Sequence, residues 1–206
     1  MVVIAIAQQK GGAGKTTIAA NLAAALAGSM QVAVLDIDPQ RSLARWHALR
    51  AGRAPAITLS QVSGWRMDAE IERLKRGHGV VVVDSPPAID EDARRAVRAA
   101  DLVLVPVQPS PPDLWAAAGT LKLAAEERRR AVLLLNRAPA ASALRSAAEA
   151  AIAQAGWPRL AAALGNRVAF AAAFARGAGV SETAPRSPAA AELAAVLEET
   201  ERWLNS

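Results

Sequence analysis

The sequence predicts an α/β fold: a mostly parallel, twisted sheet with helices on both faces. Three observations carry this. Short apolar runs of strand length alternate with amphipathic or alanine-rich stretches of helix length, the pattern of repeated βαβ units. One run, Val80 to Val83, is unbroken valine, which suits a strand covered on both faces rather than one. Several runs close on polar residues, among them Asp36, Asp84 and Asn136, and open parallel sheets bind ligands at the edge where strands end.

The elements follow in order. Val2 to Ala7 reads as a strand, followed by a glycine-rich turn and a helix from Thr16 to Ala27. Gln31 to Leu35 is a second strand, halted by Asp36, Ile37, Asp38 and Pro39 because proline disfavours continuation. Ser42 to Ala51 reads as helix, Ala56 to Val62 as a short strand, and Trp65 to Arg76 as a helix with charge on one face. After the valine strand come a helix from Glu91 to Ala99, a strand from Leu102 to Val107, a long helix beginning near Asp113 and a strand from Val132 to Leu135. Ala140 to Ala155 reads as a helix stopped by Gly156, with Pro158 just beyond. The last third gives a short strand from Leu160 to Leu164, a helix from Arg167 to Ala175, a loop from Gly177 to Pro188 and a terminal helix from Ala189 to Leu204. No repeat, linker or break in composition divides the chain, so residues 1–206 are expected to form one domain.

Composition narrows the function classes. With 52% hydrophobic residues, 3% aromatic and no tyrosine, the core is expected to consist of Val, Leu, Ile and Ala. The absence of cysteine removes disulfides, thiolate zinc sites and iron-sulfur clusters. Neither a signal-peptide pattern nor an apolar span of bilayer length is present, which makes a cytoplasmic location the expectation. A net charge of +5 and a pI near 10.6 fit a polyanionic partner such as DNA, although an arginine-rich composition yields the same balance without one.

The strongest local signal is KGGAGKTT, Lys10 to Thr17, between the first strand and its helix. The general phosphate-loop pattern places Gly, four residues, then Gly, Lys and Ser or Thr, and Gln9 stands here where the first Gly belongs. Gly11, Gly12 and Gly14 let the backbone bend so that amides, Ala13's included, converge on phosphate oxygens, and the helix beyond adds its positive dipole end. Lys15 is expected to neutralise the β- and γ-phosphates and Thr16 to place its hydroxyl on Mg²⁺. A plain strand-to-helix turn would account for the glycines but not for the Lys-Thr pair.

These residues resemble the deviant Walker A motif of the ParA/MinD family of ATPases, and the resemblance implies that family's P-loop NTPase fold with ATP and Mg²⁺ as ligands. Lys10 resembles the family's signature lysine, which implies a homodimer closed by ATP in which each Lys10 reaches the partner's phosphates. Asp36, Ile37, Asp38, Pro39 and Gln40 look like switch I, with Asp38 positioning the attacking water, possible contact of Asp38 with the metal, and Asp36 in support. Asp84 resembles the Walker B aspartate that holds Mg²⁺ through water, and Ser85, Pro86 and Pro87 resemble switch II. A carboxylate beside phosphates is repulsive without a metal between them, while the bland alternative makes either aspartate a helix cap. Leu102 to Trp115 is similar to the strand and proline-rich loop near the family's dimer interface. Asn136 and Arg137 occupy the place of its adenine contacts, and Gly177 to Pro185 that of the late loop flanking the base.

Within the family the chain looks like the short, ParF-like partition branch. Its first strand begins at Val2, without an N-terminal helix-turn-helix domain, and its final helix sets Glu192, Glu198, Glu199 and Glu201 against Arg202, which anionic lipid would repel, so no membrane partner is expected. The resemblance then implies an ATPase that binds nucleoid DNA nonspecifically as a dimer and is released when a ParB-like or cargo-bound partner stimulates hydrolysis, segregating plasmid, chromosome or protein cargo. Candidate phosphate-facing residues are Arg128, Arg129, Arg130, Arg145, Arg159, Arg167 and Arg176, each of which solvated surface charge explains equally. Two alternatives stay open: a small metabolic P-loop enzyme similar to dethiobiotin synthetase, and an ATP-binding switch that does not hydrolyse.

Overall fold

The computed structural model describes residues 1–88, 90–140 and 142–206. Among these residues seven strands form one sheet: β1 (Val2–Ile6), β2 (Val32–Asp36), β3 (Ile57–Ser60), β4 (Val80–Asp84), β5 (Leu102–Val107), β6 (Ala131–Leu135) and β7 (Arg159–Ala163), in the order β3-β2-β4-β1-β5-β6-β7. Every pairing is parallel, so the sheet is wholly rather than mostly parallel. The helices are α1 (Lys15–Leu26), α2 (Ser42–Leu49), α3 (Met67–Lys75), α4 (Glu91–Ala99), α5 (Pro111–Glu126), α6 (Ala143–Gln154), α7 (Val168–Phe174), α8 (Val180–Thr183) and α9 (Pro188–Asn205).

Alternation along each strand divides the core into two layers, because successive side chains point to opposite faces. Ile4, Ile6, Val34, Val82, Leu104 and Leu134 pack with α1, α2, α7, α8 and α9. Val3, Ala5, Leu35, Val81, Val83, Val105 and Leu133 pack with α3, α4, α5 and α6. Both sides of β4 are covered, which is why its valine run has no polar interruption until Asp84.

Four local outcomes differ from the sequence expectation. A 3-10 turn at Gly64–Arg66 precedes α3, where Gly64 has a φ of 65° and donates its N–H to Asp92 Oδ1 at 2.9 Å. Helix α5 starts at Pro111, earlier than Asp113, because Ser110 caps it and proline at the first positions sacrifices no hydrogen bond. Helix α6 starts at Ala143 rather than Ala140, where Ser142 Oγ accepts the Arg145 N–H at 3.1 Å; the expected helix also included Ala141, which lies outside the described residues. The expected loop from Gly177 to Pro188 contains α8, whose first turn is held by the Glu182 carboxylate accepting the Gly179 N–H at 2.9 Å.

The same Glu182 joins α8 to α2. Arg50, 3% exposed, donates to both Glu182 oxygens at 2.9 and 2.6 Å, to Gly177 O at 3.2 Å and to Pro55 O at 3.0 Å. Its guanidinium lies 5.6 Å from the Trp46 ring centroid, and the Trp46 indole donates to Ala178 O at 3.2 Å. Gly177, with a φ of +63°, passes so close to the backbone of Leu49 and Arg50 that an added Cβ would sit 2.4 Å away. Removing one partner of a buried ion pair strands the other charge. Glu182→Ala is therefore expected to lower unfolding free energy by about 3 kcal/mol in a urea titration, whereas Glu72→Ala, which breaks the exposed Lys75 pair, leaves it within error.

Candidate nucleotide site

All strands run the same way, so the residues following β1, β2, β4, β5 and β6 share one edge of the sheet. The loop between β1 and α1 leaves at the place where the chain switches from building toward β3 to building toward β7, the position at which open α/β sheets form a crevice. Gly12 and Gly14 have φ values of 80° and 97°, which a side chain would strain; Gly11 has neither a positive φ nor a close neighbour. Gly14 is the residue before α1, and no side chain caps that helix. The first amides of α1, Lys15 to Thr17, thus keep their hydrogen-bonding capacity for a ligand.

Two connected recesses open over this loop. One, of about 330 Å³, is lined by the phosphate loop together with Asp38, Gln40, Pro87 and Arg137. The other, of about 140 Å³, is lined by Ile18, Asn21, Asn136, Asn166 and Phe170, and shares Gly14, Thr17 and Arg137 with the first. The structure thereby brings together Gly11, Gly12, Gly14, Lys15, Thr16, Thr17, Asp38 and Arg137, with Asn136 on the adjoining wall.

Lys15 is 6% exposed and donates to Gln8 O at 3.1 Å. Burial lowers its pKa, while the charges of Asp84 and Asp38 oppose that shift. The three carboxylates have different surroundings. Asp36 ends β2 and accepts from Asp38 N at 3.2 Å and from Ala44 N, in the first turn of α2, at 2.8 Å. It therefore does the capping work that the bland alternative assigned to its neighbours, and burial raises its pKa. Asp38, 9% exposed, accepts from Gln40 N at 2.9 Å through Oδ1 and lines the larger recess. Asp84 is fully buried at the end of β4, and neither of its oxygens has a hydrogen-bond partner of good geometry among the described residues. Burial pushes its pKa up to about 7, against the opposing pull of the Thr16 hydroxyl and the Lys15 ammonium.

An unpaired, fully buried carboxylate beside a lysine and a threonine hydroxyl has the donor set for a hard cation. No group of three His, Cys, Asp or Glu side chains that could hold a metal ion exists among the described residues.

Lys10 takes a different direction. Its ammonium binds Asp113 in α5, whose side chain is 2% exposed and also accepts from Ser110 Oγ at 2.6 Å. Sequence reasoning treated Asp113 only as a helix start, since nothing in the local pattern signals a partner 103 residues away. It likewise passed over Gln108, whose Nε2 donates to Gly12 O at 3.1 Å, and Asn21, which donates to Thr17 O at 2.8 Å and accepts from Val180 N at 2.9 Å. Asn136 donates to Ala13 O at 2.7 Å and accepts from Arg137 N at 2.9 Å.

The arginine candidates divide. Arg130 donates to Trp203 O at 2.7 Å and Leu204 O at 3.3 Å, satisfying carbonyls at the end of α9; Arg145 and Arg159 face Glu149, and Arg167 pairs with Glu192. Arg128 lies two residues beyond α5 and has a φ of 56°. Arg128, Arg129 and Arg176 are exposed and have no carboxylate partner among the described residues. No described helix is long and apolar enough to cross a membrane.

Fold and site together define a P-loop nucleotide-binding protein. The profile of the CobQ/CobB/MinD/ParA nucleotide binding domain matches residues 4–180, and the chain belongs to this family. It is 32% identical over 196 residues to the maintenance of carboxysome distribution protein A of Halothiobacillus neapolitanus, covering 92% of this chain and 91% of that protein. Its fold matches apo McdA of Cyanothece with a TM-score of 0.81 at 19% identity, covering 96% and 98% of the two chains. It matches a putative plasmid partition protein of Borrelia burgdorferi, bound to AMPPNP, with a TM-score of 0.80 at 15% identity and 98% coverage of each.

The raised pKa of Asp84 has a definite sign. Between the ordinary carboxyl value of 3.8 and about 7, the metal-free folded chain holds a proton that the unfolded chain has lost, so this group's contribution to stability falls as pH rises through that window. A cation bound at this carboxylate would have to displace that proton. Calorimetric titration is expected to show affinity for Mg²⁺-ATP weakening as pH drops below about 7, and Asp84→Asn is expected to bind more weakly at pH 8 and to lose that part of the slope.

Proposed function

We propose that the chain is an Mg²⁺-dependent positioning ATPase in which ATP closes two copies face to face, the closed dimer binds nucleoid DNA without sequence preference, and hydrolysis releases it. The observation that carries this reading is the direction of Lys10. Lys15 already serves the chain's own cleft, whereas Lys10 is drawn out of it onto α5, where only a rearrangement or a second molecule gives it a phosphate to meet. Large exposed apolar side chains follow the same strand ends: Trp65 after β3, Trp115 and Leu144 in the first turns of α5 and α6, and Val168 at the start of α7, between 64% and 84% exposed. A face of this composition around a phosphate loop supports its burial against another copy.

In this reading Thr16, and Asp84 through water, would hold Mg²⁺, which would supply charge neutralisation at the phosphates. The phosphate-loop amides and Lys15 bind the triphosphate, Arg137 lies toward the base, and Asp38 orients the attacking water. Lys10 of the partner places a cation on the transferring phosphoryl group, as an arginine finger does. Arg128 and Arg129 precede β6, at the sheet edge opposite the phosphate loop, so DNA bound there leaves the dimer face free. Similarity over nearly the full length of a carboxysome distribution protein supports a protein assembly as cargo, with an adaptor on that cargo as the stimulating partner.

The test compares ATP turnover, sedimentation and duplex DNA binding in wild type, Lys10→Ala and Asp38→Ala. Wild type is expected to dimerise with ATP and to bind DNA only then, with affinity falling steeply as salt rises. Asp38→Ala keeps the ATP-bound dimer and loses hydrolysis by two orders of magnitude or more, on the order of a lost water-orienting group; Lys10→Ala loses both. Turnover dependent on a small co-substrate and indifferent to DNA would point instead to a metabolic P-loop enzyme.

A further inference from the structure

The carbonyls of the phosphate loop are held from behind. Across one planar peptide the C=O and the following N–H point in opposite directions, so fixing the carbonyl of one residue aims the amide of the next. Gln108, just beyond β5, holds the Gly12 carbonyl at 3.1 Å. Asn136, just beyond β6, holds the Ala13 carbonyl at 2.7 Å. The amides aimed by these two contacts are those of Ala13 and Gly14.

Both holders are themselves fixed. Asn136 is 8% exposed, its N–H donates to Val107 O at 2.8 Å, and its Oδ1 accepts from Arg137 N at 2.9 Å. A Cβ on Gly14 would lie 2.3 Å from Asn136 Nδ2, so the amide packs directly on the loop's backbone. Gln108 donates its N–H to Asp113 Oδ1 at 3.4 Å, on the carboxylate whose other oxygen takes Lys10.

We propose that Gln108 and Asn136 are positioning residues that pre-form the phosphate cradle, clamping the Gly12 and Ala13 carbonyls outward so that the Ala13 and Gly14 amides face a ligand's phosphates before it arrives. This rests only on phosphate binding at the loop, and is independent of dimerisation, DNA and cargo. It changes the role of Asn136: the residue acts on the phosphates through the backbone, not on the base.

The test uses Gln108→Met and Asn136→Leu, which remove the donors at similar size, with Mg²⁺-ATP, Mg²⁺-GTP and Mg²⁺-tripolyphosphate as probes in calorimetry. Each variant is expected to bind tripolyphosphate and ATP about fivefold more weakly, by the same factor, with the ATP to GTP preference unchanged. In the nucleotide-free chain, ¹⁵N relaxation is expected to show lower order parameters at Ala13 and Gly14. A role in base reading would weaken ATP and leave tripolyphosphate untouched, and that result for Asn136→Leu would overturn the proposal. Unchanged tripolyphosphate affinity and loop order in Gln108→Met would overturn it as well. That variant decides if Asn136→Leu does not fold, since Gln108 is only half-buried. Wild type failing to bind tripolyphosphate would remove the phosphate site itself, a different outcome from equal binding by wild type and variants.

Discussion

A parallel sheet buried on both faces has no solvated side on which to put polar groups. Its strands must be apolar along their length, and the first places where charge is tolerated are their ends. With seven strands running one way, those ends form a single line, and the residues that terminate β2, β4, β5 and β6 come within reach of the loop after β1. The site is thus a consequence of topology: Asp36, Asp84, Gln108 and Asn136 meet although they are scattered over a hundred positions of sequence.

That arrangement concentrates charge that the chain balances unequally. Asp36 is satisfied by backbone amides and serves the geometry of α2, and Asp38 is half satisfied by its own turn. Asp84 is buried without a hydrogen-bond partner of good geometry, and that burial raises its pKa to about 7 against the pull of Thr16 and Lys15. Lys15 is the complementary case, a buried ammonium whose pKa burial lowers and two carboxylates hold up. The cleft thus sets a buried ammonium beside a buried carboxylate. On the far side of the cleft, Arg50 and Glu182 fasten the end of α2 to α8, whose Val180 N–H donates to Asn21 in α1. The start of α2, held by Asp36, and the Asn21 wall of the smaller recess are therefore parts of one braced unit.

Much of this was legible in the sequence. The alternation of apolar runs and helices gave the fold class because buried parallel strands admit little else, and the phosphate loop was recognisable because Gly14, Lys15 and Thr16 are contiguous. What escaped was whatever depends on contacts between distant segments. Asp113 holding Lys10, Gln108 holding Gly12 and Arg50 holding Glu182 span 103, 96 and 132 positions, and no local pattern encodes them. Helix α8 escaped for the same reason, since its four residues are ordered by Glu182 and Asn21 and not by propensity. Among the arginines, charge was visible but occupancy was not: Arg130 and Arg167 look like surface charge in sequence and are engaged by α9 and Glu192 in the fold.

In the proposed function Lys10 has two alternative anions, Asp113 within its own chain and the phosphates of another. The most direct measurement is a crystal structure of the chain with Mg²⁺ and a non-hydrolysable ATP analogue. The account predicts two copies facing across their phosphate loops, each Lys10 released from Asp113 and lying on the partner's triphosphate. A nucleotide-bound single copy with Lys10 still on Asp113 would contradict it.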